Sequence, residues 1–198
     1  MEITKEIIQR SKVINEGTTS FVMEFDNRIT YKIYKETLEY IGGKKEYSLN
    51  EKITATRLNY IVSKKDDVKL TDLPSKVLTY KGKPVGVALE YYNDCTTLED
   101  FFKENNSEEN IDSVKKQINA IVAELIEHGI VPTDPHFGNF LVKYNLDGSY
   151  VLKMVDTDDQ YVSVYPNGKR DVWYESEVNA CYRVIDLSFE ELNKNRQI

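Results

Sequence analysis

A chain of 198 residues, 40% hydrophobic and 30% charged, is long enough for one or two small domains with real cores and too short for several. Its net charge of −7, with no stripe of Lys and Arg, argues against nucleic acid as a partner. No apolar run reaches the ~18–20 residues that span a bilayer. Met1 to Glu6 shows no signal-peptide core, so a cytoplasmic protein without a membrane partner is expected. Cys95 and Cys181 lie far apart without metal-ligand spacing and read as reduced, structural residues.

In chain order, a short polar helix comes first, with Ile3, Ile7 and Ile8 on one face. Residues 13–25 place two apolar strand-like ends around the small-residue turn Gly17-Thr18-Thr19-Ser20, which predicts a bent hairpin. After a turn at Asp26-Asn27, residues 28–35 read as a strand with Ile29, Tyr31 and Ile33 on one face and Lys32 on the other. Gly42-Gly43 breaks the chain before a charged helix whose Leu49, Ile53, Thr56 and Tyr60 follow a three-to-four-residue step, with Glu46 and Glu51 near that face. Residues 64–75 are polar and loop-like. Two strands, 77–80 and 85–92, flank the Lys81-Gly82-Lys83 turn.

Asn93-Asp94-Cys95 reads as a linker dividing the chain into halves, residues 1–92 and 93–198. Thr96 or Thr97 caps a short helix over 98–103, and residues 104–110 form a polar loop. Residues 111–128 are the clearest helix, striped by Ile111, Val114, Ile118, Ile121, Val122 and Leu125 and closed by Gly129. Then comes the run Asp134-Pro135-His136-Phe137-Gly138-Asn139. An apolar strand (Phe140-Leu141-Val142), a hairpin turn and a second apolar run (151–155) lead from it to Asp156. An acid, an amide and a second acid framing a strand-turn-strand unit suit a site for a magnesium-bound phosphate. Beyond it, 162–165 and 171–174 read as a hairpin about the Asn167-Gly168 turn, ahead of a last helix over 177–187.

These motifs resemble the protein-kinase-like superfamily. The hairpin Ile14-Asn15-Glu16-Gly17-Thr18-Thr19-Ser20-Phe21-Val22 resembles the kinase glycine-rich loop, keeping Gly17 and Val22, with Asn15 and Ser20 in place of the outer glycines. Lys32 matches the lysine of the V-A-I-K strand, which the resemblance pairs with the nucleotide phosphates. Glu51 is favoured over Glu46 as the helix glutamate that holds that lysine. Glu90-Tyr91-Tyr92 resembles the hinge, where backbone groups meet the adenine. By the same resemblance Asp134 handles the acceptor hydroxyl, and Asn139 and Asp156 hold Mg2+. The spelling D-P-H-x-G-N is similar to that of aminoglycoside and choline kinases and of the atypical kinases tied to ubiquinone biosynthesis. His136 reads either as a group that neutralises the transferred phosphoryl or as a hydrogen-bonded loop histidine. Pro132 replaces the usual histidine two residues before the acid, and Asp156-Thr157-Asp158 keeps only the first residue of D-F-G. Asp171-Val172-Trp173 also resembles the D-V-W of a kinase helix, the alternative to the hairpin there.

The resemblance implies an α+β, two-lobed fold: a small antiparallel-sheet N-lobe with one helix and a truncated, mainly helical C-lobe. It implies ATP and Mg2+ as cofactors. The expected activity is transfer of the γ-phosphate to a Ser or Thr hydroxyl of a protein, by a monomer resembling minimal bacterial effector kinases. Secretion into a host without a classical signal peptide, with a host protein as substrate, is a further implication. Two other functions remain open: a small-molecule kinase, suggested by the catalytic-loop spelling, and a pseudokinase binding module, suggested by the departures.

Overall fold

The computed structural model describes residues 1–24, 29–48, 55–92, 94–163 and 172–195. The chain divides into two compact units. The first holds Met1–Asp66 and Leu73–Asn93, and the second holds Asp67–Asp72 and Asp94–Ile198.

The first unit is built on a five-stranded antiparallel sheet. Its elements in chain order are α1 (Lys5–Arg10), β1 (Lys12–Glu16), β2 (Ser20–Glu24), β3 (Ile29–Tyr34), α2 (Lys35–Ile41), α3 (Ala55–Ser63), β4 (Lys76–Tyr80) and β5 (Lys83–Glu90). The strand order β1-β2-β3-β5-β4 puts β3 in the centre. One face of β3 sends Tyr31 and Ile33 into a core with Ile3, Met23, Ile41, Leu78, Val85 and Ala88. The other face carries Lys32 and Tyr34, and Tyr34 packs with Leu58 of α3 and Val87 of β5. Both faces are thus buried, where the alternation predicted one. The β1–β2 pairing slips between Val13 and Asn15, a bulge that bends the hairpin as expected.

Helix α2 has no counterpart in the sequence reading, which allowed this half one helix after the opening segment. Its N-cap, Tyr34, makes no side-chain cap, so the usual start signal is missing. What holds its first turn is Thr37, fully buried, whose hydroxyl donates to Tyr34 O at 2.7 Å and lies 3.2 Å from Val85 O, 48 residues away.

The second unit comprises β6 (Cys95–Thr97), α4 (Leu98–Glu104), α5 (Glu108–Glu127), β7 (Ile130–Val131), β8 (Phe140–Tyr144), β9 (Tyr150–Met154), β10 (Tyr161–Val162) and α6 (Tyr174–Asn195), with a 3-10 turn at Phe137–Asn139. Thr97 caps α4 by accepting from Asp100 N. All six stripe residues of α5 are buried, each worth about 1.5–3 kcal/mol relative to exposure. Cys95 belongs to β6, which pairs with β8, so the predicted linker is in part a strand; the three-stranded sheet runs β6-β8-β9.

The hairpin predicted about Asn167-Gly168 is corrected. Of its predicted first arm, 162–165, Val162 belongs to β10 and pairs with β7, and Tyr174 in its second arm starts α6. Residues 164–171, including the turn itself, lie outside the described residues. The helix starts at Tyr174 because Tyr174, Cys181, Ile185 and Phe189 make one buried stripe, with Glu175 and Glu177 in the first turn. Among the described residues no helix is long and apolar enough to cross a membrane.

Candidate active site

Helix α5 ends at the His128 cap, and Gly129 turns the chain into β7 in the left-handed conformation, at φ +74°. Ile130 and Val131 are fully buried and anchor the chain before it emerges at Thr133 and Asp134. The strand β7 therefore delivers Asp134 to the surface, where its side chain is 69% exposed.

From Asp134 to Asn139 the loop is fixed by its own polar groups. The Asn139 side-chain amide donates to Asp134 O at 2.8 Å, and Asn139 N donates to His136 O at 3.0 Å. His136 caps the 3-10 turn, its Nδ1 accepting from Gly138 N at 3.0 Å. Because Nδ1 accepts, the proton of the neutral ring sits on Nε2, which lies 3.5 Å from Asp134 Oδ2. Of the two readings of His136, the hydrogen-bonded loop histidine is the one this geometry describes.

Gly138 is required by the same contact. A Cβ there would stand 2.7 Å from His136 Cε1, 3.0 Å from Nδ1 and 3.3 Å from a Glu99 carboxylate oxygen. Gly138→Ala is expected to swing the half-exposed ring off its cap and cost about 1 kcal/mol. Thermal denaturation measures it, and an unchanged melting temperature would show that the ring does not depend on Gly138.

Asn139 leads directly into β8, whose partner β9 runs back in the register Phe140↔Met154. One step past β9, Val155 N donates to Asn139 O at 2.8 Å. This bond fixes the amide-bearing residue and the acid-bearing residue against each other at the open end of the β8–β9 pair. Asp156 has φ +62°, a left-handed backbone uncommon outside glycine and best tolerated by Asp and Asn. Thr157 and Asp158 behind it are buried, at 1% and 2% exposure. The Thr157 hydroxyl donates to Asp72 O at 3.2 Å, and Lys153 Nζ pairs with Asp72 at 3.2 Å.

Of the sequence-predicted residues, Asp134, Asn139 and Asp156 are therefore gathered in the second unit. The others belong to the first. Lys32 lies at mid-sheet, with Val22 and Val87 opposite it, and is 5% exposed. That placement removes the alternative of a solvated lysine on an edge strand, since burying an ammonium is costly unless something compensates it. Asn15 sits at the bulge of β1, and Gly17 N donates to Ser20 O at 2.9 Å to close the hairpin tip. Glu90 ends β5 and Tyr92 follows it. Glu51 lies outside the described residues. Its rival Glu46 is exposed in the irregular segment after α2.

The donor set suits magnesium better than a transition metal. Among the described residues no group of three or more His, Cys, Asp or Glu is gathered as a metal cage. Mg2+ in nucleotide sites takes one or two protein oxygens and completes its shell with phosphates and water. One amide and one carboxylate beside a shared backbone bond fit that demand, and Asn139, with its amide nitrogen held by Asp134 O, would offer its side-chain oxygen to such a metal.

No protein-family model and no curated protein matches the chain. Solved structures do: 97 chains match. One is the Rio2 kinase of Chaetomium thermophilum in a complex described as ADP/Mg2+-phosphoaspartate, at a TM-score of 0.53 and 12% identity. The fold is protein-kinase-like. The match covers 90% of this chain and 55% of the Rio2 chain, so the protein spans about half the length of that kinase. Gln160 and Thr71, which hold the chain around Asp156, carried no sequence signal. Their role depends on partners far along the chain.

Proposed function

We propose that the protein is a Mg2+·ATP-dependent phosphotransferase that moves the γ-phosphate to a Ser or Thr hydroxyl of a protein. The observation that carries this reading is the double tie at Asn139: its side chain to Asp134 O and its own carbonyl to Val155 N, beside Asp156. The backbone of residue 134, the amide of Asn139 and the chain just before Asp156 are thereby tied to one another. In this reading Asn139 and Asp156 hold the metal, Asp134 aligns the acceptor hydroxyl, and Lys32 holds the nucleotide phosphates. Asn15, Gly17, Ser20, Val22, Glu90 and Tyr92 line the nucleotide's side of the site, and Glu51 orients Lys32. The bound metal would supply charge neutralisation at the transferred phosphoryl. The fold neighbour, a kinase in complex with ADP and Mg2+ by its own description, supports the choice of nucleotide and metal. The 69% exposed Asp134 side chain supports an acceptor presented on another protein's surface.

A second reading, a small-molecule kinase, is favoured by the His136–Gly138 cap, the physical content of the D-x-H-x-G-N spelling shared with such enzymes. One experiment separates the two. Radiolabelled ATP is offered to the protein with a protein mixture and with a metabolite panel, using the parent and Asp134→Ala. Asn139 bonds the backbone oxygen of residue 134, so the substitution leaves that tie in place and removes the carboxylate alone. Transfer to protein is expected to fall by about 10²–10⁴-fold in the variant. Equal labelling by parent and variant sinks phosphotransfer through Asp134. Turnover of metabolites without a protein acceptor selects the second reading.

A further inference from the structure

Alternate residues of a strand point their backbone groups the same way, so Leu152 and Met154 present theirs along the edge away from β8, and Asp156 follows one step beyond the strand. In place of a further strand, side chains occupy that row. Gln117 Oε1 accepts from Leu152 N at 3.0 Å. The Thr71 hydroxyl, 1% exposed, accepts from Met154 N at 3.0 Å and bonds Met154 O at 2.9 Å. Gln160 Nε2 donates to Asp156 O at 2.5 Å.

Gln160 does more than cover an edge. Its Oε1 accepts from Thr133 N at 2.9 Å, and Thr133 immediately precedes Asp134. The amide's acceptor end and its donor end are both engaged, which fixes its orientation. The side chain is also out of water, at 5% exposure. A second bond, from the Thr133 hydroxyl to Asp159 O at 2.9 Å, runs beside the first. Pro132, the residue before, has no N–H to contribute. One buried amide thus joins the backbone before the acceptor-side acid to the backbone of the metal-side acid, whose φ of +62° needs outside support.

We propose that Gln160 is a positioning residue that sets the placement of Asp156 relative to Asp134 and so tunes Mg2+·nucleotide binding; the proposal rests on the phosphotransfer reading. It touches neither substrate nor metal and acts through the two acids.

The test uses the full chain with Gln160→Met, which keeps the shape and loses both bonds, and Gln160→Glu, which keeps the acceptor for Thr133 and loses the donor to Asp156. Two quantities are read: amide exchange at Thr133 in nucleotide-free protein, and the Mg2+·ADP concentration giving half-maximal thermal stabilisation. In Gln160→Met, Thr133 exchange is expected to accelerate and the Mg2+·ADP midpoint to rise by about 10–100-fold, the usual effect of losing a partner of a metal-holding group. In Gln160→Glu, Thr133 stays protected while the midpoint still rises. Its added charge attracts Mg2+ but repels the net-anionic Mg2+·ADP complex, so the uncharged Gln160→Met is the comparison that separates the lost bond from charge. Unchanged Thr133 protection in folded Gln160→Met overturns the tie. Unchanged midpoints in both variants reduce Gln160 to a structural residue. Should Gln160→Met not fold, an unchanged Gln160→Glu midpoint still overturns the role. If the parent shows no stabilisation by Mg2+·ADP, the phosphotransfer reading itself fails and the metal role goes with it, while Thr133 exchange still reports whether the tie exists.

Discussion

Asp156→Asn is expected to reduce phosphoryl transfer by about three orders of magnitude or more while leaving the melting temperature close to that of the parent. The carboxylate is the anionic protein ligand in the proposed metal site, and Lewis-acid stabilisation of a transferring phosphoryl is worth several kcal/mol, at about 1.4 kcal/mol per tenfold in rate. Stability should hold because both features that define residue 156 survive the change. Asn adopts the left-handed backbone at φ +62° about as readily as Asp, and the backbone oxygen still receives Gln160 Nε2. Asp156→Ala is the instructive comparison. It removes the same charge but also places a Cβ without a compensating polar group at positive φ, which costs about 1–2 kcal/mol. Radiolabelled transfer and thermal denaturation on both variants separate charge from strain. If Asp156→Asn keeps transfer within about tenfold of the parent, magnesium is not held there and the proposed chemistry is wrong.

What the sequence made legible is what local spacing encodes. The α5 stripe repeats at helical period over about four turns, and all six of its residues are buried. The acid-to-amide spacing of the Asp134–Asn139 loop, with an apolar strand on either side of a polar turn, placed β8 and β9 within two residues of their bounds. The central position of β3 was harder to see, because Lys32 read as the polar face of a half-buried strand. The order β2-β3-β5 pairs both edges of β3, and the packing of Tyr34 against Leu58 and Val87 covers its second face. Long-range satisfaction was invisible. Thr37 begins a helix no cap announced because its hydroxyl reaches Val85 O, and Thr71 and Gln160 reach Met154 and Thr133 from 83 and 27 residues away. The Asn167-Gly168 pair misled in the opposite direction. A strong local turn signal outweighed the weaker stripe Tyr174-Cys181-Ile185-Phe189, which is spaced at 7, 4 and 4 residues and decides where α6 begins. Single-sequence reasoning finds what a residue does with its neighbours in the chain. It misses a polar side chain whose partner is a backbone group elsewhere.

Gly86→Ala is expected to be the most destabilising single-atom-group addition in the first unit, at about 4 kcal/mol or more, a size reserved for substitutions that force the backbone apart. Gly86 lies on β5 between two neighbours, paired with Ile33 of β3 on one side and Leu78 of β4 on the other. A Cβ built there would stand 2.1 Å from Lys32 O and 3.1 Å from both Lys32 C and Ile33 Cα. These are backbone atoms of the central strand, so no side-chain rotation relieves the clash. Either β3 and β5 separate or β5 twists out of register, and both outcomes move Lys32. Gly82→Ala is the matched control. Gly82 has φ +72° with nothing within 4 Å of a built Cβ, so only conformational strain of about 1–2 kcal/mol applies. Thermal denaturation of the two variants compares a close approach with a strained turn, at about 4–8 °C per kcal/mol for a unit of this size. A Gly86→Ala protein as stable as Gly82→Ala would mean that β3 and β5 do not approach at Lys32 as described, and the buried placement of that lysine would fall with it.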